Sequence, residues 1–484
     1  MSAADTGTRQ VVVIGAGIAG LAAAHRLLGR GAAVTVLEAS GRVGGKLLPG
    51  LIAGVRVDLG AESMLARRPE AVALAREVGL ADRLRAPATA SASLWNRGTL
   101  HPMPKGHLMG VPGTAAALSG VLSEEGLRRV DEDETLPRTE VGDDVAVGEF
   151  VARRLGREVV DRLVEPLLGG VYAGDAYRIS MRSAVPQLFQ AAKAHHSLTR
   201  AVREIQARTA RAASAGPVFM GIEGGVGTLP LAVAESVRAR GGEIVTGAAV
   251  TELRREVNDR WRIVAGERVL HADAVVVALP APAAARLLRA EAPAAATELS
   301  AVEYASMALV TLAYRRADVR LPEGSGFLVP PVDGHTIKAS TFASQKWGWI
   351  ADEDPDLLVL RTSVGRYGET EILRRPDDGL VDVSRHDLRE AVGLTATPVE
   401  TRVTRWQDGL PQYPVGHHAR VARIREHVGR VPGLAVCGAL YDGVGIPACV
   451  ASAYAAVDQL GGDLTAVREL TAAPVQSLHG GAGE

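Results

Sequence analysis

A glycine-rich turn between two apolar runs constrains the fold of this chain more than any other feature. The run VVVIG, from Val11 to Gly15, is typical of a buried strand, and the overlapping GAGIAGLAAAHRLLGRG of a helix opened and closed by glycines. The run AVTVLE, ending at Glu38, indicates a second strand. Gly15, Gly17 and Gly20 match G-x-G-x-x-G, whose glycines make the turn, admit a pyrophosphate and pack helix on strand. The sequence therefore predicts a βαβ dinucleotide-binding unit.

A carboxylate and a second glycine turn follow this unit directly. Glu38 lies about 20 residues after the glycines, where a carboxylate accepts hydrogen bonds from the adenosine ribose and disfavours a 2'-phosphate. The alternative is a solvated acid at a strand end. Arg42 and Lys46 then flank Gly44 and Gly45, a turn that a smaller dinucleotide does not need. FAD extends across such a domain and can use this turn as a second clamp, so the sequence predicts FAD.

The composition excludes several other classes of protein. The chain has 484 residues, 47% of them hydrophobic, and a formal net charge of -1, so it lacks the basic field that nucleic-acid binding needs. Cys437 and Cys449 are too few for a disulfide framework and lack metal spacing, which favours a reducing compartment and a cytoplasmic location. The longest apolar run is broken by glycines and shorter than the roughly 18 residues of a membrane span, so we expect no transmembrane segment.

Three separated regions contain strand-like apolar runs, and we expect them to form one domain. The first and third have a glycine-rich turn and a helix, and the second has several short strands. The pattern between the first two regions is largely helical, apart from the charged residues 123–144, which indicate a solvated loop. The predicted divisions are an FAD-binding domain at 1–75, 216–300 and 405–465, a substrate domain at 76–96 and 301–404, an inserted helical domain at 97–215, and a frayed tail at 466–484.

Five motifs together resemble a known family. They are GAGIAG from residue 15, EASGRVGGK from 38, DLGAES from 58, GGVGTL from 224 and GALYDGVGIPACV from 438. The chain is thereby similar to the FAD-dependent amine oxidase superfamily and, within it, to the protoporphyrinogen and coproporphyrinogen oxidases, most of all the coproporphyrinogen III oxidases of Gram-positive bacteria. The resemblance implies α/β and α+β architecture. It comprises an FAD-binding Rossmann-like domain of the p-hydroxybenzoate-hydroxylase type, a mixed-sheet substrate domain and an inserted helical domain.

The resemblance also carries cofactor contacts onto this chain, residue by residue. The residues expected to contact the FAD pyrophosphate are Gly15, Ala16, Gly17, Ile18, Ala19 and Gly20. Those expected at the ribose are Glu38 and Ala39, with Arg42 and Lys46 at a neighbouring clamp and Val250 at the adenine. Those expected at the flavin are Gly60, Ala61, Glu62 and Ser63 on one side, Trp406 beside the ring, and Val444, Gly445 and Ile446 at its end. One departure is Ala448, where many relatives carry an acidic residue. The resemblance supplies no catalytic base.

The reaction that the resemblance implies is the six-electron oxidation of coproporphyrinogen III to coproporphyrin III in heme biosynthesis, dependent on FAD and oxygen and producing peroxide. Hydride passes from a substrate carbon to the flavin, which oxygen reoxidises. The expected partners are a porphyrinogen, oxygen and a ferrochelatase that receives the product, and peripheral membrane contact stays open. The alternatives are a protoporphyrinogen IX oxidase, an amine oxidase or carotenoid desaturase, and a non-catalytic flavin-binding partner protein.

Several other residues are weaker candidates. Adjacent His195 and His196 point in different directions on a helix, so we expect no metal site there. The two cysteines lack an attachment motif, so we expect FAD to bind non-covalently. Trp347 and Trp349 either line a pocket or pack within their own domain. The propionates of a porphyrinogen need cations, and the candidates are Arg178, Arg182, Lys193, Lys338 and Lys346.

Overall fold

A five-stranded parallel sheet joins three distant regions of the chain. The computed structural model describes residues 8–212 and 216–464, so the predicted tail at 466–484 lies outside the described residues. Every strand pair in this sheet is parallel. In spatial order the strands are Glu243–Val245, Ala33–Leu37, Gln10–Ile14, Ala274–Val277 and Leu434–Val436. We call this sheet the parallel sheet.

Both faces of the parallel sheet are covered, because its strands are apolar on both sides. Val11 and Val13 pack in one apolar cluster, and Val12 and Ile14 in another, as the two-residue period of a strand requires. The first cluster includes the helices Ile18–Leu28, Pro69–Glu77, Thr228–Ala239 and Ile446–Leu464. The second includes the antiparallel strands Val250–Arg255, Trp261–Ala265 and Arg268–Ala272 and the helices Ala281–Leu288, Pro293–Ser300 and His417–Gly429.

A seven-stranded mixed sheet, here called the large sheet, contacts the DLGAES segment through Arg361. Helix Asp377–Val392 covers one of its faces, where Leu380 packs against the apolar side chains of the strands. In spatial order the strands are Glu400–Pro411, Tyr304–Arg315, Leu357–Val364, Ile337–Thr341, Gly326–Leu328, Ser93–Asn96 and Thr99–Pro102. The predicted domain boundaries at 97 and 405 therefore divide segments that belong to this one sheet.

A helical unit with its own apolar core occupies much of the chain between residues 107 and 212. Phe150, Leu163 and Phe189 are among its fully buried side chains. Its helices are Glu124–Asp131, Val147–Leu155, Arg157–Val159, Glu165–Tyr172, Met181–Ala184, Pro186–Ala194 and Leu198–Ala212, with a π-helical turn at Val160–Val164.

Shorter elements connect these units. The strands are Pro49–Ile52, Val55–Asp58, Met64–Leu65, Leu84–Arg85, His107–Leu108, Val111–Pro112 and Phe219–Ile222, and the short helices are Ala343–Lys346 and Gly348–Glu353. Turns of 3₁₀ helix lie at Ala81–Arg83, Ala115–Leu118, Glu132–Glu134, Arg316–Asp318, Pro331–Asp333 and Ile372–Arg374. Within the described ranges, no helix combines the length and the apolar character needed to cross a bilayer.

The prediction of a solvated loop holds for residues 135–144, which form no helix or strand and are mostly exposed, but it is wrong for the residues before them. Part of this stretch is the helix Glu124–Asp131, and Asp133, just beyond it, is completely buried. Arg154, itself buried, donates a hydrogen bond from Nε to the Asp133 carboxylate at 2.6 Å. The pairing residue lies 21 positions along the chain, so no local charge pattern could reveal it.

Asp133→Asn should destabilise the protein by about 3–5 kcal/mol, because the buried Arg154 would lose its compensating charge. Ser197 and Thr199, which donate hydrogen bonds to the second oxygen of Asp133, would also lose an ionised acceptor. Urea unfolding followed by circular dichroism measures the change. The matched control is Glu125→Gln, which removes an ion pair with side chains 73% and 70% exposed and should cost at most about 1 kcal/mol. Equal losses in the two variants would contradict this account.

Candidate cofactor site

The first glycine turn leaves an open space at a helix N-terminus. A side chain at Gly20 would place its Cβ 1.9 Å from the carbonyl oxygen of Gly15, so only glycine lets the helix lie this close to the strand. A Cβ at Gly17, in contrast, would meet no atom within 4 Å. Gly17 is the N-cap of helix Ile18–Leu28, and backbone N–H groups at such a helix end attract phosphate. The space beside Gly17 therefore fits a pyrophosphate.

The second glycine turn is joined directly to the first. The backbone N–H of Gly44 donates to the carbonyl oxygen of Ala16 at 2.8 Å, and Gly17 and Gly44 form a parallel bridge. Gly44 has a φ of +102°, a conformation that favours glycine. The exposed Arg42 donates from its guanidinium to the carbonyl oxygen of Gly45 at 2.7 Å. The guanidinium thus shapes the turn itself and lies beside the proposed phosphate space.

Glu38 lies at the carboxyl end of strand Ala33–Leu37, beside the first glycine turn. Its carboxylate accepts a hydrogen bond from the backbone N–H of Ala16 at 2.8 Å. The backbone N–H and the hydroxyl of Ser40 donate to the other oxygen at 2.9 and 2.7 Å. These bonds orient the carboxylate next to the turn, at the position where a ribose would follow the pyrophosphate.

The backbone of Glu38 also holds the loop that leads to Val250. The N–H of Glu38 donates to the carbonyl oxygen of Val245 at 2.9 Å, and the N–H of Ala248 donates to the carbonyl oxygen of Glu38 at 2.8 Å. Val250 begins the next strand and is half-buried, whereas Ala39 is exposed. The structure therefore brings together the segments that contain the predicted ribose and adenine contacts.

Lys46, Gly60 and Trp406 meet at the opposite end of the site. A Cβ at Gly60 would lie 2.1 Å from the carbonyl oxygen of Lys46 and 3.2 Å from the Trp406 ring, so the backbone and the ring pack closely here. The indole N–H of Trp406 donates to the carbonyl oxygen of Leu59 at 3.0 Å. The ammonium of Lys46 lies 5.9 Å from the Tyr304 ring centre, and burial lowers its pKa.

Glu62 is paired with two cations and lines a small cavity. Its carboxylate lies 2.6 Å from the Lys346 ammonium and 3.1 Å from the Arg361 guanidinium. Burial by itself would raise the pKa of Glu62, but the charges of Arg361 and Lys346 outweigh burial and hold that pKa below its usual range. Trp347 and Trp349 line the same cavity. The Glu62 side chain therefore supports the site indirectly, through its ion pairs with Lys346 and Arg361.

Arg361 is a residue of this site that sequence reasoning missed. It lies on the large sheet, and its guanidinium donates to the carbonyl oxygens of Gly60 at 2.8 Å and Asp58 at 3.3 Å. Ala61, which follows Gly60, is exposed, and Ser63 is half-buried. No sequence signal distinguishes Arg361 from the many other arginines, because its partners are some 300 positions earlier in the chain.

Asp58 connects two of the quoted motifs, DLGAES and GGVGTL. Its two carboxylate oxygens each accept a backbone hydrogen bond at 2.9 Å, from the N–H groups of Val226 and Gly227. Burial raises the pKa of Asp58 to about 7, against the opposing effect of these two hydrogen bonds. The carboxylate therefore anchors the turn before helix Thr228–Ala239 to the segment that carries Gly60.

The final glycine turn ends where the last long helix begins. Ile446 is the first residue of helix Ile446–Leu464, Gly445 is exposed, and Val444 packs against the core of the helical unit. Cys449 follows within the first turn of this helix, since its N–H donates to the carbonyl oxygen of Gly445. The turn thus lies between the parallel sheet and the helical unit.

Both cysteines near this turn are buried and free. Burial raises the pKa of the Cys449 thiol to about 12, and it raises the pKa of the Cys437 thiol further. Both thiols are therefore protonated near neutral pH and are poor nucleophiles. Ala448, where relatives were expected to carry an acid, is 4% exposed, so the departure leaves a small apolar side chain in an enclosed position.

The five predicted cation candidates have different surroundings. Arg178 and Lys193 are exposed, and Arg182 donates to a backbone carbonyl oxygen at 3.2 Å. Lys346 is held by its ion pair with the Glu62 carboxylate. Lys338 is only 6% exposed and has neither an ion pair nor a side-chain hydrogen bond among the described residues. Lys338 is therefore the candidate that combines burial with an uncommitted ammonium.

Two histidine groupings have structural explanations. His195 follows the end of a helix and lies 2.9 Å from a carboxylate oxygen of Glu204, so it is not on a helical face as expected. His335, Asp387 and Glu390 come within 4.8 Å of one another. Asp387 already accepts two backbone hydrogen bonds, and His335 stacks on a tryptophan at 3.6 Å. These partners give both residues a role that needs no metal.

Gly17→Ala should leave the fold intact but weaken FAD binding at least about tenfold, because a methyl group would enter the space that fits the pyrophosphate and displace a charged hydrogen bond. Titration of apoprotein with FAD, followed by flavin fluorescence, measures the affinity. The control is Gly20→Ala, whose Cβ collides with backbone and should lower the melting temperature instead. Unchanged FAD affinity in a folded Gly17→Ala protein would place the pyrophosphate elsewhere.

Comparison with known proteins gives the same assignment over most of the chain. The family described as flavin containing amine oxidoreductase matches residues 18–461. The coproporphyrinogen III oxidase of Mycobacterium tuberculosis is 38% identical over 459 residues, which cover 93% of this chain and 96% of the relative. That of Bacillus subtilis is 34% identical, over 93% of this chain and 97% of the relative.

A solved structure agrees with these relatives. The crystal structure of an Exiguobacterium protein assigned as a protoporphyrinogen oxidase superposes with a TM-score of 0.83 at 32% identity, covering 94% of this chain and 99% of the other. The predicted fold class and family are thereby confirmed, and the oxidoreductase class and FAD follow from the family. Because the match spans nearly the whole chain, the protein belongs to the flavin-containing amine oxidoreductases, and its cofactor is FAD.

Proposed function

We propose that the protein is a coproporphyrinogen III oxidase that uses FAD and passes the electrons to oxygen. The observation that carries the proposal is the near full-length likeness to relatives that are named coproporphyrinogen III oxidase. The geometry supports it, because the two glycine turns, Glu38 and the Gly60 segment form a continuous path for an extended dinucleotide. Product transfer to a ferrochelatase and a cytoplasmic location with peripheral membrane contact belong to the same proposal, and two free buried cysteines suit that compartment.

In this proposal each part of the site has a definite task toward FAD. The first glycine turn binds the pyrophosphate, Glu38 binds the adenosine ribose, and Gly60 with its neighbours contacts the flavin side. When bound, FAD accepts hydride from the substrate and transfers the electrons to oxygen. Arg361 fixes the Gly60 carbonyl, and Trp406 excludes water from the space beside it. Binding is non-covalent, because burial keeps the thiol of Cys449 protonated.

Trp406→Ala should shift the flavin absorption spectrum and slow flavin reduction by substrate, because water would reach the ring through the space that the indole fills. Stopped-flow absorbance under anaerobic conditions measures the reduction, and thermal unfolding measures stability. Trp406→Phe is the matched control, since it keeps an aromatic ring but loses the hydrogen bond to Leu59. A parental spectrum and reduction rate in the alanine variant would show that Trp406 lies away from the flavin.

Protoporphyrinogen IX is the second candidate substrate, and the name of the Exiguobacterium protein favours it. Coproporphyrinogen III carries four propionates, whereas two of these are vinyl groups in protoporphyrinogen IX. An unpaired carboxylate is costly to bury, so a pocket with an uncommitted cation favours the tetracarboxylate. The buried Lys338 offers such a cation.

The ratio of kcat/KM for the two porphyrinogens should favour coproporphyrinogen III by tenfold or more, measured with oxygen as acceptor in one detergent-free buffer. Product fluorescence gives the rates. A tenfold preference for protoporphyrinogen IX would replace the proposed substrate with the second candidate. If neither porphyrinogen reduced the bound flavin under anaerobic conditions, the oxidase proposal itself would fail, and an amine oxidase, a desaturase or a binding protein would take its place.

A further inference from the structure

Lys338 is a largely buried lysine on the large sheet. The residue is 6% exposed, and its ammonium forms no ion pair or hydrogen bond with any residue in the described ranges. Its backbone, in contrast, is paired, since the carbonyl oxygen accepts from the N–H of Val329 at 2.9 Å. A mostly buried lysine with no opposite charge paired to it is unusual, and a bound anion would supply the missing charge.

A β-bulge determines the position of Lys338 in the large sheet. Ile337 pairs with Val364 and Ala339 pairs with Ser363, so Lys338 is an extra residue between two consecutive pairs. Ile337 packs into the apolar cluster under helix Asp377–Val392. A bulge interrupts the alternation of side chains, which lets one strand place an apolar residue and its polar neighbour in different surroundings. Bulges are frequent beside active sites for this reason.

The bulge lies on the strand that also adjoins the flavin end of the cofactor site. Thr341 of this strand pairs with Arg361, whose guanidinium donates to the carbonyl oxygen of Gly60. Lys338 is three residues away from Thr341, which at 3.3 Å per residue corresponds to about 10 Å along the strand. A tetrapyrrole that reacts beside Gly60 can extend over that distance. Lys338 is thus placed for a peripheral group of the substrate rather than for the reacting carbon.

Helix Glu165–Tyr172 faces the same part of the large sheet. It contacts strand Ile337–Thr341, and a Cβ at Gly170 would lie 3.7 Å from the side chain of Leu328 on the adjacent strand. Gly170 is nevertheless exposed, as is the next residue, Val171, at 45%. These two residues of the helix remain accessible beside the sheet. Lys338 therefore lies on a strand at the border between the helical unit and the large sheet.

The charges around Lys338 leave it short of an anion. The Arg366 guanidinium is the cation that acts on it, and Glu369, an exposed residue, is the opposing acid. Arg366 is itself committed, because it donates to the carbonyl oxygen of Ile337 at 3.2 Å and lies near Glu369. Burial, followed by repulsion from Arg366, lowers the pKa of Lys338 to about 7. A carboxylate bound here would compensate for both effects.

We propose that Lys338 binds one propionate carboxylate of the substrate and thereby favours a porphyrinogen with four carboxylates over one with two. The inference rests on the proposed function, since it presupposes a porphyrinogen in the space between the large sheet and the helical unit. Lys338 acts in specificity, through a hydrogen bond and charge on the periphery of the substrate. It takes no part in hydride transfer.

The test compares Lys338→Met, which keeps the length of the side chain and removes the charge, with Lys338→Arg, which retains a cation. For the methionine variant, kcat/KM with coproporphyrinogen III should fall about ten- to a hundredfold, mainly through KM, as expected for the loss of a hydrogen bond between charged groups. The kcat/KM of this variant with protoporphyrinogen IX should change less than threefold. Lys338→Arg should recover part of the loss. The control Lys105→Met removes an exposed lysine that has no proposed role and should change neither value.

A binding measurement separates this role from a structural one. Coproporphyrin III, the oxidised product, is stable and fluorescent, so quenching in the FAD-loaded enzyme reports its Kd without turnover. The Kd should rise about tenfold or more in Lys338→Met, whereas the melting temperature should stay equal or rise, because an unpaired buried charge has been removed. A fall in the melting temperature with unchanged Kd would show that Lys338 is structural and would overturn the inference.

The remaining outcomes distinguish the inference from the proposed function. Equal losses of kcat/KM for the two porphyrinogens, or a fall in kcat alone, would overturn the specificity role while leaving the oxidase proposal in place. If the parent enzyme oxidised neither porphyrinogen, the proposed function would fail. Coproporphyrin III binding that depends on Lys338 would then still support the carboxylate site, and binding independent of Lys338 would overturn it.

Discussion

The close approach of backbone to backbone at the two glycine turns is the constraint on which the cofactor site depends. Gly20 lies against the carbonyl of Gly15 with no room for a Cβ, and a Cβ at Gly44 would lie 2.7 Å from the carbonyl oxygen of Leu47. This packing places the N-terminus of helix Ile18–Leu28 at the carboxyl edge of the parallel sheet. The space beside Gly17 stays open, whereas backbone atoms fill the spaces beside Gly20 and Gly44. The space proposed for the pyrophosphate is therefore defined by the backbone itself.

Buried charges attach the rest of the molecule to this backbone frame. Asp58 holds the turn at Val226 and Gly227, and Arg361 bonds the Gly60 carbonyl while it pairs with Glu62. Two cations outweigh the desolvation of Glu62, whereas the two backbone donors offset only part of the desolvation of Asp58. As a result, the large sheet and the flavin end of the site are connected through polar bonds of defined direction, which apolar packing alone does not provide.

Local features of the sequence predicted the nucleotide-binding unit well. The features that the sequence did not predict depend on contacts between residues far apart in the chain. The strands, the turn and the helix up to Glu38 follow from the periodicity of apolar residues and from the spacing of the glycines, and both are properties of neighbouring residues. Asp133 was misplaced because its partner Arg154 comes from another helix. Arg361 could not be recognised for the same reason, since its partners are far away in sequence. The bulge at Lys338 arises from the pairing of two strands, so no pattern in either strand alone reveals it.

The order of strands in the parallel sheet has a consequence for synthesis of the chain. Gln10–Ile14, made first, pairs on one side with Ala274–Val277, and Leu434–Val436 completes that edge only near the C-terminus. On the ribosome, Gln10–Ile14 can pair early with Ala33–Leu37, but its other edge stays unpaired until Ala274–Val277 emerges. Non-local pairing of this kind folds slowly and exposes unpaired strand edges to aggregation. The parallel sheet is consequently complete only late in synthesis, and the yield of folded protein depends on how well the early strand edges are protected until then.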